Sequence, residues 1–502
     1  MGPPARSVSD CKHSVVGTQP ADGVHAATGR THVDDVPGTG GAFLRSGHSV
    51  QYHSCGQSLR LRRNEASGPD TLRCAMVPVA YPNQPKDRFE VYRFFNGLAA
   101  EARDESDGRR TRTPIVKSFL LEHVAPRLGY PQPPANILRS LGAQVRPIDD
   151  TLIEVRWRDK NPNASDGIQR VVGYVEQYDQ RFFAHYTCDD SKVAKPRVNH
   201  WITRSPDLDS TWFSSQLLQR LWDTDVSCRG DDRFGKLTFK HQSIFEMPDD
   251  AAEDLEVEDS GGSADSELDE DEPAFERRAA SFHMTDRIGR IRASLQHLQS
   301  GYAPLYALYG LRFPSRGGSG SHDLYQEGRV TNRSGSFEEH RNLVRYLYRT
   351  YRAMLERTEE VAWHRLDQAP GSAAVNFGAQ GVPLIVRFRE ELSAATFQRW
   401  VTSAFRKRNR FRLWGEPIWM GPTKVHVYGA DRHLWQPISL EMTATGLVAI
   451  LPQGTCGNTF HRLVTNVQAY VCPKVEAWLG DEKFQAVVDQ SIQHSGGFGG
   501  ED

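Results

Sequence analysis

The loop Pro452-Gln453-Gly454-Thr455-Cys456-Gly457-Asn458-Thr459-Phe460-His461-Arg462 puts a thiol, an imidazole and a guanidinium into one short segment. A strand-sized apolar run, Leu447 to Leu451, leads into it, and a helical apolar period begins at about Thr459. A strand-to-helix loop of this kind aims free backbone N–H groups and the positive end of a helix dipole at whatever it holds, which favours an anion and lowers a thiol pKa. Cys456 would then be a nucleophile, Arg462 the grip on a phosphoryl group, and His461 an acid or base. The same residues also read as a plain turn, with Gly457 and Asn458 as turn and cap.

Cys456 and Arg462 share the Cys-x5-Arg spacing of cysteine phosphatases without the rest of that pattern. No His precedes the Cys, no Ser or Thr follows the Arg, and the preceding strands read as a hairpin. Nearby, His426, Asp431 and His433 would form an acid/base or metal-binding group with His461, although their spacing closes no known metal motif. Asp149, Asp150 and Glu154 supply paired carboxylates for a divalent ion of nuclease type, but Arg156 stands where Lys is needed, and Arg does not give up its proton. The seven cysteines are scattered with no Cys-x-x-Cys pair, and Cys11-x-His13 and His53-x-Cys55 have too short a gap for one loop to chelate. No metal and no cofactor is therefore expected, and the cysteine usage fits a reducing, cytoplasmic setting.

Basic residues form two further groups. Arg406-Lys407-Arg408-Asn409-Arg410-Phe411-Arg412 is followed by Trp414, which offers phosphate contacts beside a stacking plane. Arg341, Arg345 and Arg349 recur every four residues along one helical face. The chain has 61 basic and 63 acidic residues, but the stretch 249–272 holds 13 Asp and Glu and no Lys or Arg. Without it 50 acidic residues remain (63 less 13), so the rest of the chain carries about +11 and favours anionic partners.

Elements must position these groups. At 502 residues the chain is too long for one ordinary core, so more than one unit is expected. Residues 1–80 lack an apolar period and read as a disordered tail. Phe89, Tyr92, Phe94, Phe95 and Leu98 predict a helix, and Ile115 to Leu128 predicts a second. Strands follow through Ile153, Val155 and Trp157, through Val171 to Tyr178 and through Phe182 to Tyr186, with Glu154 and Arg156 on a wet face. Ser205 to Ser210 would cap a helix carrying Trp212 to Trp222, and a strand from Lys236 to Phe245 closes the lobe.

The acidic stretch predicts a self-repelling tether. Beyond it come a helix from Ile288 to Leu298, a Gly- and Ser-rich loop from Ser315 to Ser336, and a long helix from Phe337 to about Val361. A strand at Leu384 to Phe388 precedes a helix capped by Ser393, and strands at Lys424 to Tyr428, Ile438 to Thr443 and Leu447 to Leu451 complete the pattern.

The expected class is thus α+β: two lobes, each an antiparallel sheet with packed helices, joined by an acidic disordered tether. The boundaries are 1–80 for the tail, 86–247 for the N-terminal lobe, 248–280 for the linker and 283–495 for the C-terminal lobe. No apolar run approaches the ~20 residues that a bilayer requires, so no membrane association is expected. The leading functional expectation is binding of nucleic acid or another anionic ligand by the C-terminal lobe, with the N-terminal lobe serving a protein partner. A cysteine-dependent hydrolase using Cys456 and Arg462 is the alternative, and a scaffold without a ligand the third.

Overall fold

The computed structural model describes residues 81–104, 113–123, 132–158, 169–246, 280–317, 320–368, 377–406 and 409–494. The tail, the acidic tether, the Cys11/His13 and His53/Cys55 pairs, Lys407 and Arg408 lie outside the described residues. Among the described residues the class is α+β, with two sheets and nine α-helices: α1 (Arg88–Asp104), α2 (Pro134–Ser140), α3 (Ser191–Arg204), α4 (Ser215–Leu221), α5 (Ile288–Gly301), α6 (Phe337–Ala362), α7 (Ala394–Ala404), α8 (Asn458–Tyr470) and α9 (Phe484–His494). No described helix is long and apolar enough to cross a membrane.

The first sheet contains β1 (Lys117–His123), β2 (Gln144–Pro147), β3 (Leu152–Trp157), β4 (Arg170–Gln177), β5 (Phe182–Thr187), β6 (Leu208–Ser210), β7 (Phe234–His241), β8 (Ala280–Arg287), β9 (Leu308–Pro314), β10 (Ser321–Tyr325) and β11 (Arg329–Asn332). Its order is β2-β3-β4-β5-β1-β11-β10-β9-β7-β8, with β6 added to one end of β1. The second sheet contains β12 (Trp363–Gln368), β13 (Phe377–Gln380), β14 (Leu384–Phe388), β15 (Leu413–Trp414), β16 (Ile418–Gly421), β17 (Lys424–Asp431), β18 (Gln436–Thr443), β19 (Gly446–Pro452), β20 (Val475–Leu479) and β21 (Glu482–Lys483). Its main path is β15-β17-β18-β19-β14-β20-β21. Both sheets are antiparallel apart from a short parallel contact between β12 and β19.

The division into lobes at the acidic stretch is not what forms. β7 and β8 pair along their whole length, from Phe234 opposite Arg287 to His241 opposite Ala280, so residues 242–279 connect neighbouring strands of one sheet. β11 likewise pairs with β1. The first sheet therefore takes strands from both sides of the tether. One continuous apolar core runs from Phe95 and Leu120 through Leu347 and Tyr351 to Leu447 and Val464. Residues 65–502 form one compact unit.

Three local expectations are corrected. Ile115 to Leu128 predicted a helix, but β1 occupies Lys117–His123 with every residue buried. A strand covered on both faces loses the period of two and reads as a continuous apolar run, which a helical template also fits. The predicted loop from Ser315 to Ser336 contains β10 and β11, whose polar His322, Asp323, Thr331 and Asn332 are buried rather than exposed. The helix expected after Ser205 begins later, because Leu208–Ser210 is spent on β6 and Ser214 is the cap, accepting from the Leu217 amide at 3.3 Å. The strand β14, the helix α7 capped by Ser393 and the β18–β19 turn form where the sequence predicts them.

Helix α6 joins the halves. Ser336 caps it by accepting from the Glu339 amide at 3.1 Å. Its buried side carries Leu343, Leu347, Tyr351, Met354 and Leu355, the stripe expected of an amphipathic helix.

Candidate functional site

The loop between β19 and α8 ends against the first sheet, and the contact is a buried network of charges. Glu122 of β1 accepts from Arg181 Nε at 2.6 Å, and the same arginine grips Glu359 of α6 at 3.1 and 2.6 Å. Cys456 Sγ lies 3.1 Å from Glu122 Oε1 and 3.4 Å from Arg181 Nη2. The Gly457 amide donates to Glu359 at 2.9 Å. Burial pushes the Glu122 carboxyl up, but the Arg181 guanidinium overrides it and holds the group well below the usual carboxylate range.

A second knot adjoins the first. Arg462 of α8 is fully buried and pairs with Asp209 of β6 and with Asp431 of β17, while its Nε donates to the Phe411 carbonyl at 3.0 Å. Arg412 reaches Asp209 at 3.3 Å and donates to the Leu208 carbonyl at 2.5 Å. Asp431 also accepts from Thr459 and, at 2.9 Å, from the His433 amide. Tyr351 of α6 accepts from the Trp212 amide at 3.0 Å and bonds Asn458, whose amide donates to the Ser210 carbonyl at 3.0 Å. Through Asp209 and Ser210 of β6 on one side and Asp431 of β17 on the other, this knot ties one sheet to the other.

This geometry changes the reading of the Cys456 loop. Burial, with the Glu122 carboxylate beside it, pushes the Cys456 thiol well above its ordinary value, against the help of Arg181. A nucleophile wants the opposite. Burial alone would strip charge from Arg462, but Asp431 and Asp209 hold it protonated and occupy the donors that would grip a phosphoryl group. His461 is buried, 3.3 Å from Thr358 Oγ1, and its pKa is pushed down to about 3 by burial. Cys456 in the loop and His461 and Arg462 on α8 stand close together in the chain, yet in this arrangement all three are buried and none is presented to a substrate.

The other predicted residues scatter. Arg341 and Arg345 converge on Glu176 of β4, Arg345 at 3.1 Å, and Arg341 covers the Tyr92 ring at 4.7 Å. Arg349 lies on the same helix one turn on. Along α6 the step from Arg341 to Glu359 is ~27 Å, so the arginine stripe and the Cys456 loop belong to different places. Arg410 sits over Tyr470 at 5.2 Å, Arg406 is half-buried, and Arg412 is absorbed in the second knot. Among the described residues the expected single patch of positive charge is therefore not formed. Asp149 is held by Arg88 at 2.8 Å, and Glu154, expected on a wet face, is buried between Arg146 and Arg156, both at 2.7 Å. His426 pairs with Glu441 at 2.9 Å, away from Asp431 and His433.

Trp414 is exposed at 61%, and its surroundings complete the picture. It pairs with Ala430 on β17, which puts it on the same face as Tyr428, exposed at 74%. Ile418 pairs with His426 and joins that face from β16. Gly429 permits the approach: a Cβ there would meet the Trp414 carbonyl oxygen at 2.3 Å. The edge of the second sheet thus shows solvent a row of aromatic and aliphatic side chains, with Arg406, Arg410 and Lys424 in the flanking segments.

Glu122, Arg181, Asp209, Tyr351 and Glu359 were not anticipated. Glu122 had a signal, a charge directly after the apolar run Phe119-Leu120-Leu121, because a charge in a buried strand needs a partner. Arg181, Asp209 and Glu359 are far from one another in sequence, and only the topology assembles them.

A core-spanning α+β unit with its charges locked at a sheet-to-sheet junction is the class these observations define. The chain belongs to the MJECL33-like protein family, whose model matches residues 86–297 and 310–486, and both knots lie inside the matched stretches. It is 27% identical over 146 residues to the uncharacterized protein MJECL33 of Methanocaldococcus jannaschii, a match covering 29% of this chain and 33% of that one. The chain thus spans about a third of the length of the curated relative it matches. No solved structure matches the chain.

Proposed function

We propose that the chain binds single-stranded nucleic acid across the outer face of the second sheet, with Trp414 and Tyr428 as stacking planes and Arg406, Arg410 and Lys424 following the phosphates. The carrying observation is the registered, exposed pair Trp414 and Tyr428 on adjacent strands. Aromatic rings about 7–8 Å apart on one face accept successive unstacked bases without reading sequence. Arg406 and Arg410 shortly precede Trp414 in the chain, so positive charge and stacking surface come from one segment. The excess of basic residues outside 249–272 favours the same class of ligand. Cysteines 188, 456 and 472 are free, which fits a reducing cytoplasmic setting. A protein partner on the first sheet is part of the same reading.

The test is fluorescence anisotropy with labelled single-stranded DNA and RNA of mixed sequence across a salt series. Binding should weaken linearly on a log–log salt plot, with a slope of about −0.7 per phosphate contacted. Trp414→Ala and Tyr428→Ala should each weaken it by the ~1–3 kcal/mol that a stacked base contributes. Affinity unchanged in both variants would overturn the reading.

A further inference from the structure

We propose that Glu122, His433 and Cys456 form a buried site for a divalent transition-metal ion of the zinc class, joining the first sheet to the second. The three side chains are fully buried, and one ligand atom from each lies within 4.8 Å of the others. That spread closes around an ion at ordinary Zn–S, Zn–N and Zn–O lengths with small side-chain adjustments.

The independent observation is a pair of buried atoms that face each other without a hydrogen-bond partner. His433 Nδ1 lies 2.8 Å from the Pro206 carbonyl oxygen. A carbonyl only accepts, so Nδ1 carries the proton, and in the neutral ring Nε2 presents a lone pair. Nε2 lies 3.7 Å from Glu122 Oε2, and neither atom has a hydrogen-bond partner among the described residues. A buried imidazole nitrogen and a buried carboxylate oxygen facing each other at this distance need a shared cation between them, a metal ion or a proton. The outer arrangement matches what metal ligands use: one imidazole nitrogen held by a backbone carbonyl, and the carboxylate anchored through its other oxygen by Arg181.

Charge leads to the same place. Glu359 and Arg181 cancel, leaving the Glu122 carboxylate and, once its proton has left for solvent, the Cys456 thiolate. A divalent ion balances those two charges with a neutral His433. Binding therefore forms an M–S bond and releases one proton. The mixed S, N, O set suits zinc and cobalt rather than magnesium or calcium. This site is independent of the nucleic-acid reading, since its three residues are fully buried and include none of the stacking residues.

The experiment uses the full chain, reduced and stripped with a chelator, then titrated with Co2+ and afterwards Zn2+. One cobalt per chain should bring up a near-ultraviolet thiolate-to-cobalt charge-transfer band that Zn2+ abolishes. The band should persist in Cys472→Ser and vanish in Cys456→Ser. In His433→Gln, where the new amide can donate to Glu122 and preserve the fold, metal affinity should fall by about tenfold or more. Should Cys456→Ser fail to fold, alkylation of wild-type Cys456, mapped by mass spectrometry in mild denaturant, should slow when Zn2+ is added. No band in the wild type would overturn the site. So would a band of equal strength in His433→Gln, because the ion would then be held elsewhere and His433 would balance Glu122 with a proton.

Discussion

Arg462 shows how a residue suited to catalysis by spacing can be claimed by structure. It neutralises Asp209 and Asp431, which share its fully buried setting. Removing it leaves Asp431 without its cation and Asp209 with Arg412 alone, away from water, so Arg462→Met should cost about 3–5 kcal/mol in urea denaturation, as loss of one partner of a buried ion pair does. A cost under ~1 kcal/mol would mean that the knot is solvated. Histidines supply a second handle. His185 is buried beside Trp201, with ring centroids 5.0 Å apart, and burial together with Arg197 pushes its pKa down to about 3. Its unfolded value is about 6.5. Below that pH the unfolded chain takes up a proton that the fold refuses, so this contribution to stability is complete above pH ~6.5 and drains as pH falls toward the folded value. His185→Phe should reduce the slope of stability against pH by ~1.4 kcal/mol per unit between pH 6 and 4. An unchanged slope would show that His185 titrates normally. Neither role was legible in sequence, because isolated His185 and Arg462 name no partner until β5 and α8 are placed.

At the scale of elements, legibility followed how much of each segment touches water. β14, α7 and the β18–β19 hairpin are half-exposed, so their alternation or cap was visible in the residues. β1 is covered on both faces, which erased its period, and β10 and β11 bury polar residues, which disguised them as loop. The stacking face lies between these cases. Trp414 was readable, but its juxtaposition with Tyr428 depends on the β15–β17 register, which hinges on a glycine. A Cβ at Gly429 would meet the Trp414 carbonyl at 2.3 Å, and one at Gly415 would meet Val427 Cγ1 at 2.8 Å. Gly429→Val should therefore detach β15 from the edge while leaving the sheet's main path intact. Hydrogen exchange should quicken in a peptide spanning 411–416 and stay unchanged in β18 and β19. Nucleic-acid affinity should fall with it, as in Trp414→Ala, and protection of 411–416 equal to wild type would refute the positional role of this glycine.

For the whole molecule, the acidic stretch was the strongest compositional boundary in the chain, and it does not divide the fold. Charge patterning reports where a segment cannot be buried; it says nothing about which strands meet on either side of it. Here β7 and β8 meet, β1 pairs with β11, and α6 carries residues that close both knots of the junction. The halves are therefore parts of one cooperative body rather than two domains on a string. Cleavage at an engineered protease site near residue 260 should leave the pieces bound through the first sheet and the shared core, eluting together at the intact size. The nicked chain should still unfold in a single transition, displaced mainly because the cut connection frees entropy in the unfolded state. Residues 81–246 produced alone would lack β8 to β11 and α6, exposing the β1 and β7 edges and the apolar surface that α6 covers. They should accordingly be aggregation-prone and show no cooperative melt. Two separate transitions in the nicked protein, each reproduced by one fragment in isolation, would restore the two-lobe reading and remove the basis for treating the charged junction as an internal feature.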